Sequence, residues 1–180
     1  MDASDGGISI MSELRTNRIV PRDGLVSGSF GGIVQVVHTK RTTSLTTSGT
    51  TYVDFMTATI TPTRSDSKIL VSFGLYAGTN ADINHPYAAI FRDSTEIGSA
   101  TDTGSRTGAS AVYNTAAQQQ LFGGNQHLDS PASTSAITYR IKVRSSNGQT
   151  AYFGRSARDN NAAAYDGRSS SFLTLMEVSG

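Results

Sequence analysis

The stretch of sequence that decides the fold spans residues 68–75 and reads Lys-Ile-Leu-Val-Ser-Phe-Gly-Leu. Its large apolar side chains include every second position: Ile69, Val71, Phe73 and Leu75. A period of two is typical of a β-strand that packs one face against the core. Residues 137–143 repeat this alternation, again with a large apolar side chain at every second position. The two segments therefore predict two half-buried strands.

Further strand candidates lie on both sides of these two segments. They are residues 33–37, 50–61, 87–91, 96–98, 151–154 and 171–178. Turn signals separate them, among them residues 92–95 and the Asn-Gly pair at 147–148, after which we expect residues 151–154 to be the return strand. We interpret residues 114–121 as strand or loop and the glycine-rich residues 122–124 as a turn. About eight strands without an amphipathic helix predict an all-β fold, an antiparallel jelly-roll sandwich.

The first thirty-two residues differ in composition from the rest of the chain. Residues 13–20 form a short amphipathic run, Pro21 ends it, and residues 27–32 are rich in glycine and serine. We therefore predict an N-terminal arm with a glycine linker at 1–32 and a β-sandwich head at 33–180.

Composition excludes several classes of function. The 180-residue chain has a formal charge of +1 and no cysteine. It lacks the positive field that nucleic-acid binders and anionic-membrane binders use, and it cannot form disulfides or thiolate metal sites. No run of about 18 apolar residues is present, so we expect no membrane insertion. The first residues lack the features of a signal peptide, so we expect folding in a cytoplasm.

The side chains that usually carry catalysis do not form a recognisable pattern. The three histidines (His38, His85 and His127) have no metal-ligand spacing, and no serine lies in a nucleophile elbow. The carboxylates are scattered and mostly fall in turn segments, where aspartate hydrogen-bonds its own backbone. We therefore expect a protein that is not an enzyme, with no catalytic residues, no metal site and no cofactor.

The C-terminal strand candidate is apolar on both faces. Leu173 and Leu175 lie on one parity, and Phe172, Met176 and Val178 lie on the other. Either the strand is central and covered on both sides, or one face fills the core while the other contacts a neighbouring subunit. The second alternative yields a predicted subunit interface of Ile33, Val34, Val36, Phe172, Leu173, Leu175, Met176 and Val178.

A second surface has the composition of a binding loop. Tyr152, Arg155, Arg158 and Tyr165 lie in or beside a segment rich in Ser, Asn and Gly, and arginine and tyrosine are enriched at binding surfaces. We predict this patch as a candidate ligand contact. The polar segments 78–86 and 101–117 are candidate loops for contact with a receptor or an adjacent protein.

Residues 11–24, leading into 31–36, resemble the tail-fibre-like and head-fibre-like proteins of tailed bacteriophages, particularly marine and cyanobacterial ones. The likeness continues through residues 50–62, 67–71 and 172–178, and so spans most of the chain. The resemblance implies a homotrimeric virion appendage whose head is a jelly roll like that of the complement and tumour-necrosis-factor-like group. The N-terminal arm would dock on other virion proteins, with Leu14, Ile19, Val20 and Leu25 as anchor residues.

The chain contains no segment that resembles the long shaft of a tail fibre. The function implied by the resemblance is therefore a short trimeric fibre, a spike or a capsid decoration on the virion surface, in contact with the host surface in some cases. The alternative is a carbohydrate-binding or receptor-binding β-sandwich module that uses the Tyr152 patch.

Overall fold

The computed structural model describes residues 32–101, 104–114, 120–161 and 166–179. Across these ranges the secondary structure consists of strands, without a helix. The strands are β1 (Ile33–Arg41), β2 (Leu45–Thr47), β3 (Val53–Ile60), β4 (Lys68–Thr79), β5 (Tyr87–Arg92), β6 (Thr95–Ile97), β7 (Ala111–Val112), β8 (Gln120–Asp129), β9 (Ile137–Arg144), β10 (Ala151–Phe153) and β11 (Ser171–Val178). The predicted all-β class is confirmed.

The strands form two antiparallel sheets that pack as a sandwich. The sheet that we call the front sheet has the order β1-β11-β4-β10-β2, and β8 pairs with the other side of β4. The back sheet has the order β3-β9-β5-β6, and β7 pairs with β5. At one end of the front sheet β1, β11, β4 and β8 therefore lie side by side, with the C-terminal strand in an interior position.

The core lies between the two sheets and is built by the alternation that the sequence predicts. Every large apolar position at 69, 71, 73 and 75 of β4 is buried, as are the matching positions of β9. Leu173 and Leu175 of β11 are 0% exposed and belong to this core. The alternating pattern thus fixes which face of each long strand is directed outward.

Two turn assignments need correction. Residues 145–149 do form a turn, with Gly148 at a φ of +86°, but the strand that follows does not return along β9. β10 pairs instead with β2 and β4, so the chain crosses here from the back sheet to the front sheet. Gly123 and Gly124 lie inside β8, where they pair with Leu75 and Gly74 of β4.

Two buried carboxylates connect strands of the front sheet to other parts of the fold. The carboxylate of Glu177 accepts hydrogen bonds from the Gln35 side chain (2.6 Å) and from the backbone and hydroxyl of Thr63 (2.8 and 2.7 Å). At the end of β8, Asp129 accepts hydrogen bonds from Arg92 (2.8 and 3.0 Å) and from the Tyr139 hydroxyl (2.6 Å). Both arrangements satisfy a carboxylate that would be costly to bury alone.

Candidate assembly surface

The outward side of the front sheet carries a row of apolar side chains that crosses four strands. We call the outward side of β1, β11, β4 and β8 the front face. Val36 pairs with Met176, Met176 with Leu70, and Leu70 with Leu128. Val36 and Leu128 are 53% and 50% exposed, and the two central side chains are half-buried. Four strands at about 4.8 Å spacing make this row about 14 Å wide.

The next row of the front face is polar and internally hydrogen-bonded. His38 pairs with Thr174 in the β1–β11 register, and the His38 Nδ1 and Thr174 Oγ1 atoms are 2.9 Å apart. On the other side of the row, the Gln126 side-chain amide donates to Ser72 Oγ at 3.4 Å. The polar side chains of this row therefore use part of their hydrogen-bonding capacity on one another. The row also interrupts the apolar surface of the front face.

Aromatic rings cluster in the third row, over two glycines. A Cβ on Gly74 would lie 2.6 Å from the ring of Phe172 and 2.7 Å from the ring of Phe122, so both rings lie directly over this glycine. The rings of Phe122 and Tyr76 are 5.0 Å apart. Gly124, opposite Gly74, helps to line a shallow groove between the phenyl rings. A contiguous apolar patch that includes such rings is typical of a surface that contacts another protein.

The structure brings most of the predicted interface together. Val34, Val36, Phe172, Met176 and Val178 lie on β1 or β11 and are half-buried or exposed. Ile33 pairs with Val178 and is 60% exposed.

Leu173 and Leu175 differ from the rest of the predicted set. Their side chains fill the core of their own chain and have no exposed surface to offer a neighbour. β11 is an interior strand of the front sheet with one face in the core and the other partly exposed, so it is not covered on both sides as the first alternative requires.

Four residues of the front face do not appear among those predicted from sequence: Leu70, Tyr76, Phe122 and Leu128. Leu70 and Tyr76 occupy the outward parity of β4, which the alternation of the core positions could have identified. Phe122 and Leu128 lie on β8, whose Gly-Gly pair resembles a turn in sequence. The alternation of β8 is weak because those glycines interrupt it.

The outward side of the back sheet has the opposite character. Arg140 and Lys142 of β9 lie 3.6 and 3.3 Å from the carboxylate of Asp54 on β3. Lys142 also lies over the ring of Phe91, 4.7 Å from its centre. Charged and polar groups that pair with one another are typical of a surface that stays in water. The back face thus carries paired charges, although Val112, which pairs with Tyr87, is also 51% exposed there.

The arginines of the predicted ligand patch hold their own loop together. Arg158 donates to both oxygens of Asp166 at 2.8 and 2.9 Å, and Arg168 does the same to Asp159 at 2.9 and 2.7 Å. These hydrogen bonds lower the pKa of both aspartates below the usual value. Arg155 lies over the ring of Tyr152, 4.5 Å from its centre. The guanidinium groups are therefore committed to contacts within the chain.

Other predicted sites are placed as follows. Tyr165 and the anchor residues Leu14, Ile19, Val20 and Leu25 lie outside the described residues.

The loop at 80–86 is held in place by the buried Asn84, whose side chain accepts a hydrogen bond from Ser145 Oγ at 3.0 Å and donates one to the Gln149 carbonyl at 3.0 Å. That loop is therefore held against the β9–β10 turn.

Within the described ranges, no three His, Asp or Glu side chains are grouped closely enough to hold a metal ion. The described part of the chain also contains no helix with the length and hydropathy needed to cross a bilayer.

Comparison with known proteins does not identify a family for this chain. No protein-family model matches the chain, and no curated protein matches it either. A solved structure titled "Structure of infectious bursal disease virus Gx strain" is similar at a TM-score of 0.44 and 12% sequence identity. The match covers 95% of this chain and 42% of that chain. Similarity at this level does not establish a shared function.

Proposed function

We propose that the protein is a structural protein of a virus particle and not an enzyme: the subunit of a homotrimeric short fibre, spike or surface decoration of a tailed phage. The observation that carries the proposal is the front face. An apolar row and an aromatic cluster lie on one outer face of a sandwich whose opposite face carries paired charges on β3 and β9. Exposed apolar patches of this kind mark surfaces that meet other proteins.

Three further features support this assignment. The β-sandwich is an architecture that virion proteins use widely. The resemblance of residues 11–24 and 31–36 to phage fibre-like proteins points to the same class. The predicted interface residues on β1 and β11, which come from opposite ends of the head, adjoin in the fold.

Light scattering on the full chain tests the assembly. We expect a native mass of three times 19.0 kDa, 57.0 kDa. A mass of 19.0 kDa across the micromolar range would contradict the proposal, because the front face would then stay in water.

A separate experiment tests the virion role. Mass spectrometry of purified particles should detect the protein, and antibody labelling should place it on the outside of intact particles. If the protein were a trimer but absent from the particles, the proposed assembly would stand and the proposed role in the virion would be contradicted.

A further inference from the structure

A second groove lies on the back sheet, and the proposed assembly surface does not include it. The groove has a volume of about 440 Å³ and is formed by Tyr52, by β6 and by the residues that follow β6. Its lining residues are Tyr52, Glu96, Ile97, Gly98, Ser99, Ala100, Thr101, Thr107 and Gly108. Pockets for small ligands usually start at about 300 Å³, so one or two ring-sized groups fit here.

Tyr52 is held in place by its neighbours. The guanidinium of Arg144 lies over its ring at 5.2 Å from the centre, and Phe91 meets the ring at 5.6 Å with an interplanar angle of 70°. Arg144 is itself stacked on Tyr87, at 4.4 Å. A ring that is already fixed loses little conformational entropy when a ligand packs against it.

The Tyr52 hydroxyl is buried and does not face the groove. Its oxygen has no exposed surface, so a ligand in the groove meets other atoms of Tyr52 and not this hydroxyl. Burial raises the pKa of the hydroxyl, so the group stays protonated at neutral pH.

The rest of the groove offers acceptors, hydroxyls and room. Glu96 is exposed, and its carboxylate accepts from Ser99 Oγ at 2.5 Å, which leaves further lone pairs available. The hydroxyl-bearing Thr101 and Thr107 are exposed on the rim. Gly98, Ala100 and Gly108 have no bulky side chains, so the groove stays open between the polar groups.

We propose that this groove binds an uncharged saccharide. A sugar presents a C–H face that packs against an aromatic ring and hydroxyls that pair with a carboxylate and with other hydroxyls. The carboxylate of Glu96 would repel an acidic sugar, and this favours a neutral hexose or N-acetylhexosamine unit.

The test uses the full-length chain on an array of neutral and acidic oligosaccharides, followed by saturation-transfer NMR with each neutral saccharide that binds. We expect binding to at least one neutral saccharide. We expect a loss of at least about tenfold for Tyr52→Ala and for Glu96→Gln, and a smaller loss of about twofold for Tyr52→Phe, which keeps the ring. Circular dichroism and thermal unfolding check that each variant is folded.

Thr57→Ala is the control, because Thr57 is exposed on β3 of the back sheet and does not line the groove. It should bind as the wild type does. Tyr152→Ala tests the ligand patch that the sequence predicts. An array without binding would overturn the proposal, as would binding that only Tyr152→Ala abolishes or binding restricted to acidic saccharides. None of these outcomes depends on the native mass. The saccharide proposal and the proposed assembly can therefore fail separately.

Discussion

Glu177 shows how one residue of the C-terminal strand connects the core to the front face. It follows Met176 of the apolar row, yet its own carboxylate is directed inward and is 0% exposed. Burial alone would raise its pKa, but the hydrogen bonds from Gln35 and Thr63 outweigh burial and lower the pKa to about 2. The residue thus fixes β11 to β1 and to the chain that follows β3.

The low pKa of Glu177 predicts a particular acid sensitivity. In the unfolded chain this carboxyl titrates near 4.5, so its contribution to folding is complete above that pH and is lost as pH falls towards 2. We expect Glu177→Gln to lower the free energy of unfolding at pH 7 by about 1.5–3 kcal/mol. The variant should also show a smaller loss of stability than the wild type between pH 4.5 and 2.

Chemical unfolding at a series of pH values measures this effect. Glu96→Gln is the control, because the same change is made at an exposed glutamate. If the two variants lost stability equally over that pH range, the buried carboxylate would not be the cause.

Among the strands, β8 completes the front face. β8 pairs with β4 along ten residues. It places Leu128 in the apolar row and Phe122 in the aromatic cluster. The pairing is close at Gly124, where a Cβ would lie 2.0 Å from the carbonyl oxygen of Phe73. At Gly74 the obstacle is different, because the ring ends of Phe122 and Phe172 can move outward.

This difference predicts unequal effects of two similar substitutions. Gly124→Ala should destabilise the protein by more than about 2 kcal/mol, because the backbones of β4 and β8 must separate. Gly74→Ala should cost less than about 1 kcal/mol, because only exposed rings have to shift. Thermal unfolding measures both, with Gly167→Ala as the control, since a Cβ there meets nothing within 4 Å. Equal losses for Gly74→Ala and Gly124→Ala would contradict the role assigned to the strand contact.

Sequence patterns predicted most of the strands but missed β8 and the partner strands of β10. β4, β9 and β11 were predictable because their core side chains alternate without interruption. β8 was not, because Gly123 and Gly124 have the turn propensity of glycine while serving a close strand contact. The partner of β10 was not predictable either, since an Asn-Gly turn fixes a reversal of the chain but not the sheet that it enters. Because β8 was missed, its part of the front face was missed as well, whereas Leu70 and Tyr76 of β4 could have been identified from the alternation.

For the molecule as a whole, the difference between its two outer faces is the main clue to assembly. The front face exposes Phe122 and Leu128, each about half accessible, and the back face carries paired charges. Burying the front face between subunits removes apolar surface from water at about 25 cal/mol per Å². Burying the back face would first require its charges to lose their hydration. Assembly through the front face is therefore the energetically favoured arrangement.

This asymmetry predicts which surface substitutions separate the subunits. The double substitution Phe122→Lys and Leu128→Lys places two charges on the front face, where each would be buried without a partner. We expect the native mass to fall from 57.0 kDa to 19.0 kDa at equal concentration, with the β-sheet signal in circular dichroism unchanged. Thr57→Lys and Thr59→Lys add the same charge at exposed positions of β3 on the back sheet and should leave the 57.0 kDa species intact. If the back-sheet pair dissociated the assembly and the front-face pair did not, the subunits would meet through the other side of the sandwich.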